Sequence, residues 1–234
     1  MTPLLVVLFG IHPATAVGTD LLYAAITKSA GTVVHGANKT INWRIVRLLA
    51  MGSVPAALIT LYLMSGVDRK SISAVSFITF SLGWMLFLTA LLLIFRNQIV
   101  EKVTAWRAHH KPVNEQTVAA MTFILGIVLG ALVTLTSVGA GALGVTVLLM
   151  LYPRLQIRDV VGSDIVHAVP LTLVGGIGYW YIGEIDWVLL VSLLIGSIPG
   201  IIIGSHLAPK MPDRIIRPIL AATLALVALK LVTA

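Results

Sequence analysis

Val17-Gly18-Thr19-Asp20 and Val161-Gly162-Ser163-Asp164 are one motif met twice, 144 positions apart. The same shift, with no gap, sets Ala24 on Ala168 and Gly31 on Gly175. It sets Ile41-Asn42-Trp43 on Ile185-Asp186-Trp187, and Gly52-Ser53-Val54-Pro55 on Gly196-Ser197-Ile198-Pro199. Two apolar segments match Leu and Val by chance. They do not readily match Gly, Asp, Trp and Pro in one register. The chain is therefore read as an internal repeat.

The medium around that repeat follows from composition. Of 234 residues, 58% are hydrophobic and only 11% charged, and the mean hydropathy is +1.01. A soluble domain carries roughly 25% charged residues, so this chain cannot cover a water-facing surface. A membrane-spanning helix needs about 20 apolar residues. Spans are expected at 16–36, 44–65, 73–95, 117–150, 160–182, 187–206 and 214–233. The apolar runs are continuous rather than alternating, which excludes a β-barrel. The 117–150 stretch is too long for one span. The small residues Thr134 to Ala142 inside it predict a break, so two segments are expected there. The fold class is an all-α integral membrane protein of seven to eight segments. Residues 1–95 form a first repeat, 96–116 a cytoplasmic linker and 117–234 a second repeat.

Net charge is +7. In this setting the basic residues orient the loops rather than bind nucleic acid. Lys39, Arg44 and Arg47 mark the loop after the first span as cytoplasmic. The matching loop in the second half carries Glu184 and Asp186 and reads as external. The 96–116 linker and the Arg154/Arg158 loop both come out cytoplasmic, so 117–150 should enter and leave on one side. The halves are then inverted repeats, a frequent plan of secondary transporters. The chain has no Cys, which removes disulfide and thiol chemistry.

The repeated Ala16–Asp20 and Val160–Asp164 motifs, the Asn42-Trp43 and Asp186-Trp187 pairs, the segments Gly52–Ala57 and Gly196–Gly200, and the glycine-rich Val138–Gly144 together resemble the sulfite exporter TauE/SafE family of membrane permeases. The resemblance runs over nearly the whole chain. It implies movement of sulfite, sulfonates and related organosulfur or carboxylate anions across the cytoplasmic membrane. One departure stands out: Met1 aligns with Val145, so the first half lacks a counterpart of the glycine-rich 117–144 segment. The expectation is a native start about one span upstream.

Polar groups inside spans are costly and mark function. Asp20 and Asp164 are repeat mates, read either as proton- or cation-coupling carboxylates or as caps that stabilise helix starts. Lys28 lies two turns beyond Asp20 on the same face; it either attracts an anion, pairs with an acidic neighbour or snorkels to an interface. His167 either relays protons or serves as a hydrogen-bonded structural residue. Thr27 and Thr172, like Thr19 and Ser163, either donate to an oxyanion or bond backbone. Thr136, Ser137, Gly139 and Gly141 sit at the expected break, where free backbone N–H groups would suit an anion; the alternative is close packing through small residues. Trp43 and Trp187 read as interface anchors, Pro55 and Pro199 as helix kinks. His109-His110 reads as solvated, with metal binding a weak alternative.

A Walker A loop, a His-Glu-x-x-His motif and a Gly-x-Ser-x-Gly motif are all absent from the sequence, so neither ATP hydrolysis nor hydrolase chemistry is indicated. The expected function is secondary transport of small anions by alternating access, with no cofactor. Its expected partners are the anion, the lipid bilayer and H+ or Na+ as coupling ion. A non-transporting accessory or assembly subunit is the alternative. An intramembrane enzyme is less well supported, because no nucleophile–base pair is evident.

Overall fold

The computed structural model describes residues 1–37, 40–68, 71–108, 114–139, 141–207, 222–223, 225–227 and 229–230. They form eight helices and no strand: α1 (Thr2–Phe9), α2 (Pro13–Ala37), α3 (Trp43–Ser65), α4 (Ile72–Ala108), α5 (Glu115–Thr136), α6 (Ala142–Leu151), α7 (Ile157–Tyr181) and α8 (Trp187–Leu207). Four are long and apolar enough to cross a membrane: α3, the Ile72–Arg96 part of α4, α5 and α7. Among the described residues α6 and the Trp187–Ser197 part of α8 are shorter apolar helices. Most of the expected 214–233 span and the His109-His110 pair lie outside the described residues.

Local chemistry accounts for the helix ends. The Asn42 side chain accepts the N–H groups of Arg44 and Ile45 and starts α3. Asn114 does the same for Gln116 at the start of α5, with Glu115 in the first turn, where an acidic side chain suits the helix dipole. The first helix was not anticipated; it is the register mate of α6 and was hidden by its eight-residue length. The basic stretch after residue 95 is not a simple loop either, because α4 continues in helix to Ala108.

Two helix pairs build the bundle. The start of α2 meets the end of α7, with Gly18 against Tyr179 and the Glu184 carbonyl. The end of α2 meets the start of α7, so the pair is antiparallel. Its contacts come in exchanged pairs under the 144-residue shift. The Asn42 N–H donates to Ser163 Oγ at 2.8 Å, and the Asp186 N–H donates to Thr19 Oγ1 at 3.1 Å. Gly31 faces Ile165, and Gly175 faces Leu21. The second pair, α3 with α5, is parallel and very close. Gly52 lies against Phe123 and Ile127, Gly126 against Leu49, and Gly130 against Ser53 and Ala56. Small residues let the backbones approach, the usual means of helix association in lipid. The Arg44–Glu115 ion pair at the shared end is exposed and adds about 0–1 kcal/mol.

The long 117–150 stretch does turn back. Thr122, near the start of α5, bonds the Tyr152 hydroxyl just after α6 at 2.9 Å. The break falls at Ser137 (φ 55°) and Gly139 (φ 111°), within the small-residue run. The interior is apolar, with Leu21, Ile45, Leu49, Leu82, Leu86, Leu129, Leu148 and Leu171 fully buried. The outside is apolar too: Tyr62, Ile72, Trp84, Val188 and Ile195 are among many large exposed hydrophobic side chains. An outer surface of this kind suits hydrocarbon rather than water.

Candidate functional site

Asp20 and Asp164 do not cap their own helices. Each stands seven positions beyond the first residue of its helix, Pro13 and Ile157. That places both carboxylates two turns inside, and both are buried, at 4% and 2% exposure. Reading them as first-turn residues is therefore corrected: the helices begin earlier, at Pro13 and after Gln156.

The mates differ in their partners. Asp20 Oδ2 accepts the Thr2 N–H at 2.8 Å and the Thr2 hydroxyl at 2.7 Å. The Met1 amino nitrogen lies 3.1 Å from the same oxygen. Asp20 thus caps α1, a neighbouring helix. Asp164 lies beside the first turn of α6, where its Oδ1 packs directly on Gly144. That oxygen is buried and has no hydrogen-bond donor among the described residues.

Lys28 lies in the middle of α2, half-buried. Among the described residues it has no ion-pair partner within 4 Å, yet it interacts electrostatically with both Asp164 and Asp20. His167, one turn after Asp164, also feels the Lys28 charge. The antiparallel α2–α7 contact is what brings α2's cation to α7's acid and imidazole. His167 is fully buried; its Nε2 bonds Ser53 Oγ at 2.8 Å, while Nδ1 has no described partner. Ser53 belongs to the Gly-Ser-x-Pro motif, whose proline was read as a kink. That the serine holds a histidine 114 positions away is a fact of packing alone.

The threonines expected at the site mostly serve their own helices. Thr27 Oγ1 donates to Tyr23 O at 2.9 Å, and Thr172 Oγ1 donates to Ala168 O at 2.7 Å. Thr136 Oγ1 donates to Leu132 O and accepts the Val138 N–H, closing the end of α5. The Ser137 N–H is taken by Val133 O at 2.7 Å. Gly139 O accepts from Leu143 and Gly144. Of the break glycines, Gly141 stands more open than Gly139: it precedes α6, and apart from its chain neighbours no described atom comes within 4 Å of where its Cβ would be. The break is thus satisfied by local bonds on its α5 side. The ionisable groups that influence one another here are Lys28, Asp164 and His167, with Ser53 bonded to the imidazole. Among the described residues no group of three His, Cys, Asp or Glu side chains could hold a metal ion.

A helical bundle with an apolar exterior, a broken hairpin and ionisable groups in its interior defines the membrane-transporter class. The sequence profile described as Sulfite exporter TauE/SafE matches residues 1–231, and the chain belongs to that family. It is 38% identical over 232 residues to the "Probable membrane transporter protein YjnA" of Bacillus subtilis (strain 168), covering 99% of this chain and 90% of that one. It is 30% identical to the "Probable membrane transporter protein YdhB" of the same organism, covering 97% and 88%. With that organism's "Probable membrane transporter protein YunE" the identity is 23%, covering 95% and 82%. No solved structure matches. The chain is a multi-pass membrane protein of a transporter family.

Proposed function

We propose that this protein is a secondary transporter of small anions, namely sulfite, sulfonates or related organosulfur compounds, acting in the cytoplasmic membrane. It works by alternating access of two inverted halves. The observation that carries the reading is Lys28: a cation in the middle of α2, with no close ion-pair partner among the described residues, whose charge acts on a buried acid and a buried imidazole. Such a group is costly in lipid unless it has work to do. A small oxyanion supplies the missing counter-charge. The exchanged α2–α7 contacts support two opposed halves, because each pair joins one half's loop to the other half's helix. The Asn42–Ser163 contact lies at the end shared with Arg44 and Glu115, taken as cytoplasmic, and Asp186–Thr19 at the opposite end. Asp20, Asp164 and His167 are assigned to ion coupling; Gly141 and the mouth of the α5–α6 break are assigned to the anion's path.

The test is uptake of radiolabelled sulfite and methanesulfonate into liposomes holding the purified protein. Wild-type protein is expected to accelerate flux of at least one of them. Lys28→Ala is expected to lose it, and Asp20→Asn to weaken it, with folding checked by size-exclusion profile. Unchanged flux in both variants would remove the site assignment.

A further inference from the structure

Ser53 stands apart from the other buried hydroxyls of the bundle. Thr60, Thr89, Thr122, Thr146, Ser163 and Thr172 each donate to the carbonyl four residues back in their own helix, a common habit of helical hydroxyls. Ser53, fully buried in α3, makes no such bond. The one described partner of its Oγ is His167 Nε2, 2.8 Å away. The surroundings are closed: Gly130 of α5 packs on the Ser53 backbone, and His167 is fully buried.

The direction of that bond follows from what each alternative leaves over. A neutral imidazole has one N–H donor and one bare nitrogen acceptor. With the proton on Nε2, the ring would donate to Ser53. The Ser53 hydroxyl proton and the bare Nδ1 would then both be buried without a described partner. With Ser53 donating to Nε2, a single group is left over, the Nδ1–H. Buried polar groups without a partner are costly, so the second arrangement is the better one. It fixes the tautomer. His167 then presents a buried N–H donor with no described acceptor, and an oxygen of an oxyanion suits it.

Few charges face the ring. On α7, Asp164 lies one turn before it. From α2, the Lys28 charge acts on it. α3 carries Arg44 and Arg47, both exposed at its start, and Tyr62, exposed near its end. The single ionisable residue of α5 is Glu115, exposed in its first turn, and α6 has none. No described carboxylate bonds either ring nitrogen. An imidazolium here would need its charge offset by a bound anion.

We propose that Ser53 is the positioning residue of the anion site: it donates to His167 Nε2, holds the imidazole with its proton on Nδ1, and so makes that N–H the donor to an oxygen of the bound oxyanion. The same pair serves ion coupling. With the anion in place, the Nε2 lone pair takes a proton from water on the entry side. The new N–H donates to Ser53 Oγ, and the serine hydroxyl turns to the Leu49 carbonyl four residues back. Imidazolium and anion offset each other. A hydroxyl can donate in one state and accept in the other; a carboxylate or an ammonium at this position could not. This rests on the anion-transport reading above and adds the atom that meets the anion and the identity of the coupling ion.

The experiment uses the full chain. Nitrogen-15 spectra of the imidazole are recorded at neutral pH on protein in which His12, His35, His109, His110 and His206 are replaced by Gln, so that His167 gives the one ring signal. A protonated Nδ1 and a bare, hydrogen-bonded Nε2 are expected, and Ser53→Ala should shift the ring towards Nε2–H. In liposomes, Ser53→Ala should raise the KM for methanesulfonate by about tenfold, the low end for a hydrogen bond to a charged group, with little change in maximal rate. Ser53→Cys keeps the size but weakens the donor; it should behave like alanine, whereas a packing role would make it behave like serine. An acid exterior should drive methanesulfonate above its equilibrium level in the wild type and not in His167→Asn. A His167 ring protonated on Nε2 would overturn the inference and leave anion transport standing, and that spectrum decides even where a Ser53 variant fails to fold. An unchanged KM in Ser53→Ala, wild-type behaviour of Ser53→Cys, or acid-driven accumulation that survives in His167→Asn would do the same. Absence of methanesulfonate and sulfite flux in the wild type would overturn the transporter reading and this inference with it.

Discussion

Gly126→Ala is expected to destabilise the protein, although alanine is the better helix former. Replacing a helix-interior glycine by alanine is worth about 0.5–1 kcal/mol when the site is open. At Gly126 the site is closed. A methyl group there would collide with the Leu49 carbonyl oxygen and lie 3.1 Å from Leu49 Cα and carbonyl carbon. These are backbone atoms of α3 and cannot rotate aside, so α3 and α5 must separate. Overpacking of this kind costs roughly 1–3 kcal/mol, which outweighs the helix gain and leaves a net loss of about 1–2 kcal/mol. For a chain of this length each kcal/mol moves the melting midpoint by about 2–4 °C, so a fall of roughly 2–8 °C follows. Gly31→Ala is the matched control. Its methyl would meet only Ile165 Cγ2, at an ordinary 3.5 Å, and the midpoint should hold or rise. Both variants are compared with wild type in one detergent by tryptophan fluorescence on heating. If Gly126→Ala melts at or above Gly31→Ala, the close α3–α5 crossing is wrong.

Two further predictions follow from single hydrogen bonds. Ser53→Ala leaves His167 with neither ring nitrogen bonded to a described group, at a cost of about 1–3 kcal/mol. Adding His167→Phe removes the stranded imidazole, so the double variant should lose clearly less than the two single losses summed; additive losses would deny the bond. Thr19→Val and Ser163→Val each remove the acceptor of one α2–α7 clamp. Hydrogen exchange should quicken at the Asp186 amide in the first variant and at the Asn42 amide in the second, by roughly fivefold for about 1 kcal/mol lost. Unchanged exchange at both would show that the clamps are not closed in solution.

Much of the architecture was legible because membrane helices obey a local rule: a long apolar run must satisfy its own backbone. That rule marks α3, α5 and α7 within a few residues. The small residues Thr134 to Ala142 likewise marked the break that Ser137 and Gly139 make. α1 was missed for the converse reason, since eight residues are too few to read as a span. The site was legible in part. Asp20, Asp164, Lys28 and His167 stand out as expensive groups in apolar helices wherever they point. The threonines did not sort themselves. A hydroxyl that bonds its own helix, as in Thr27 and Thr172, has the same sequence as one that faces a ligand.

What the sequence by itself determined is the medium, the helices, the 144-residue register and the short list of polar groups lipid would not accept idly. Each depends on a residue's own transfer energy or on near neighbours in the chain. Only the tertiary structure decided that the Lys28 charge acts on Asp164 and His167, that Ser53 holds the imidazole, and that Asp20 caps α1 while its mate keeps an oxygen with no described donor. Those pairings depend on how α2 crosses α7 and α3 crosses α5. The crossings arise from side-chain shape, glycine contacts and hydrogen bonds between residues as much as 169 positions apart, a distance over which local pattern carries no information.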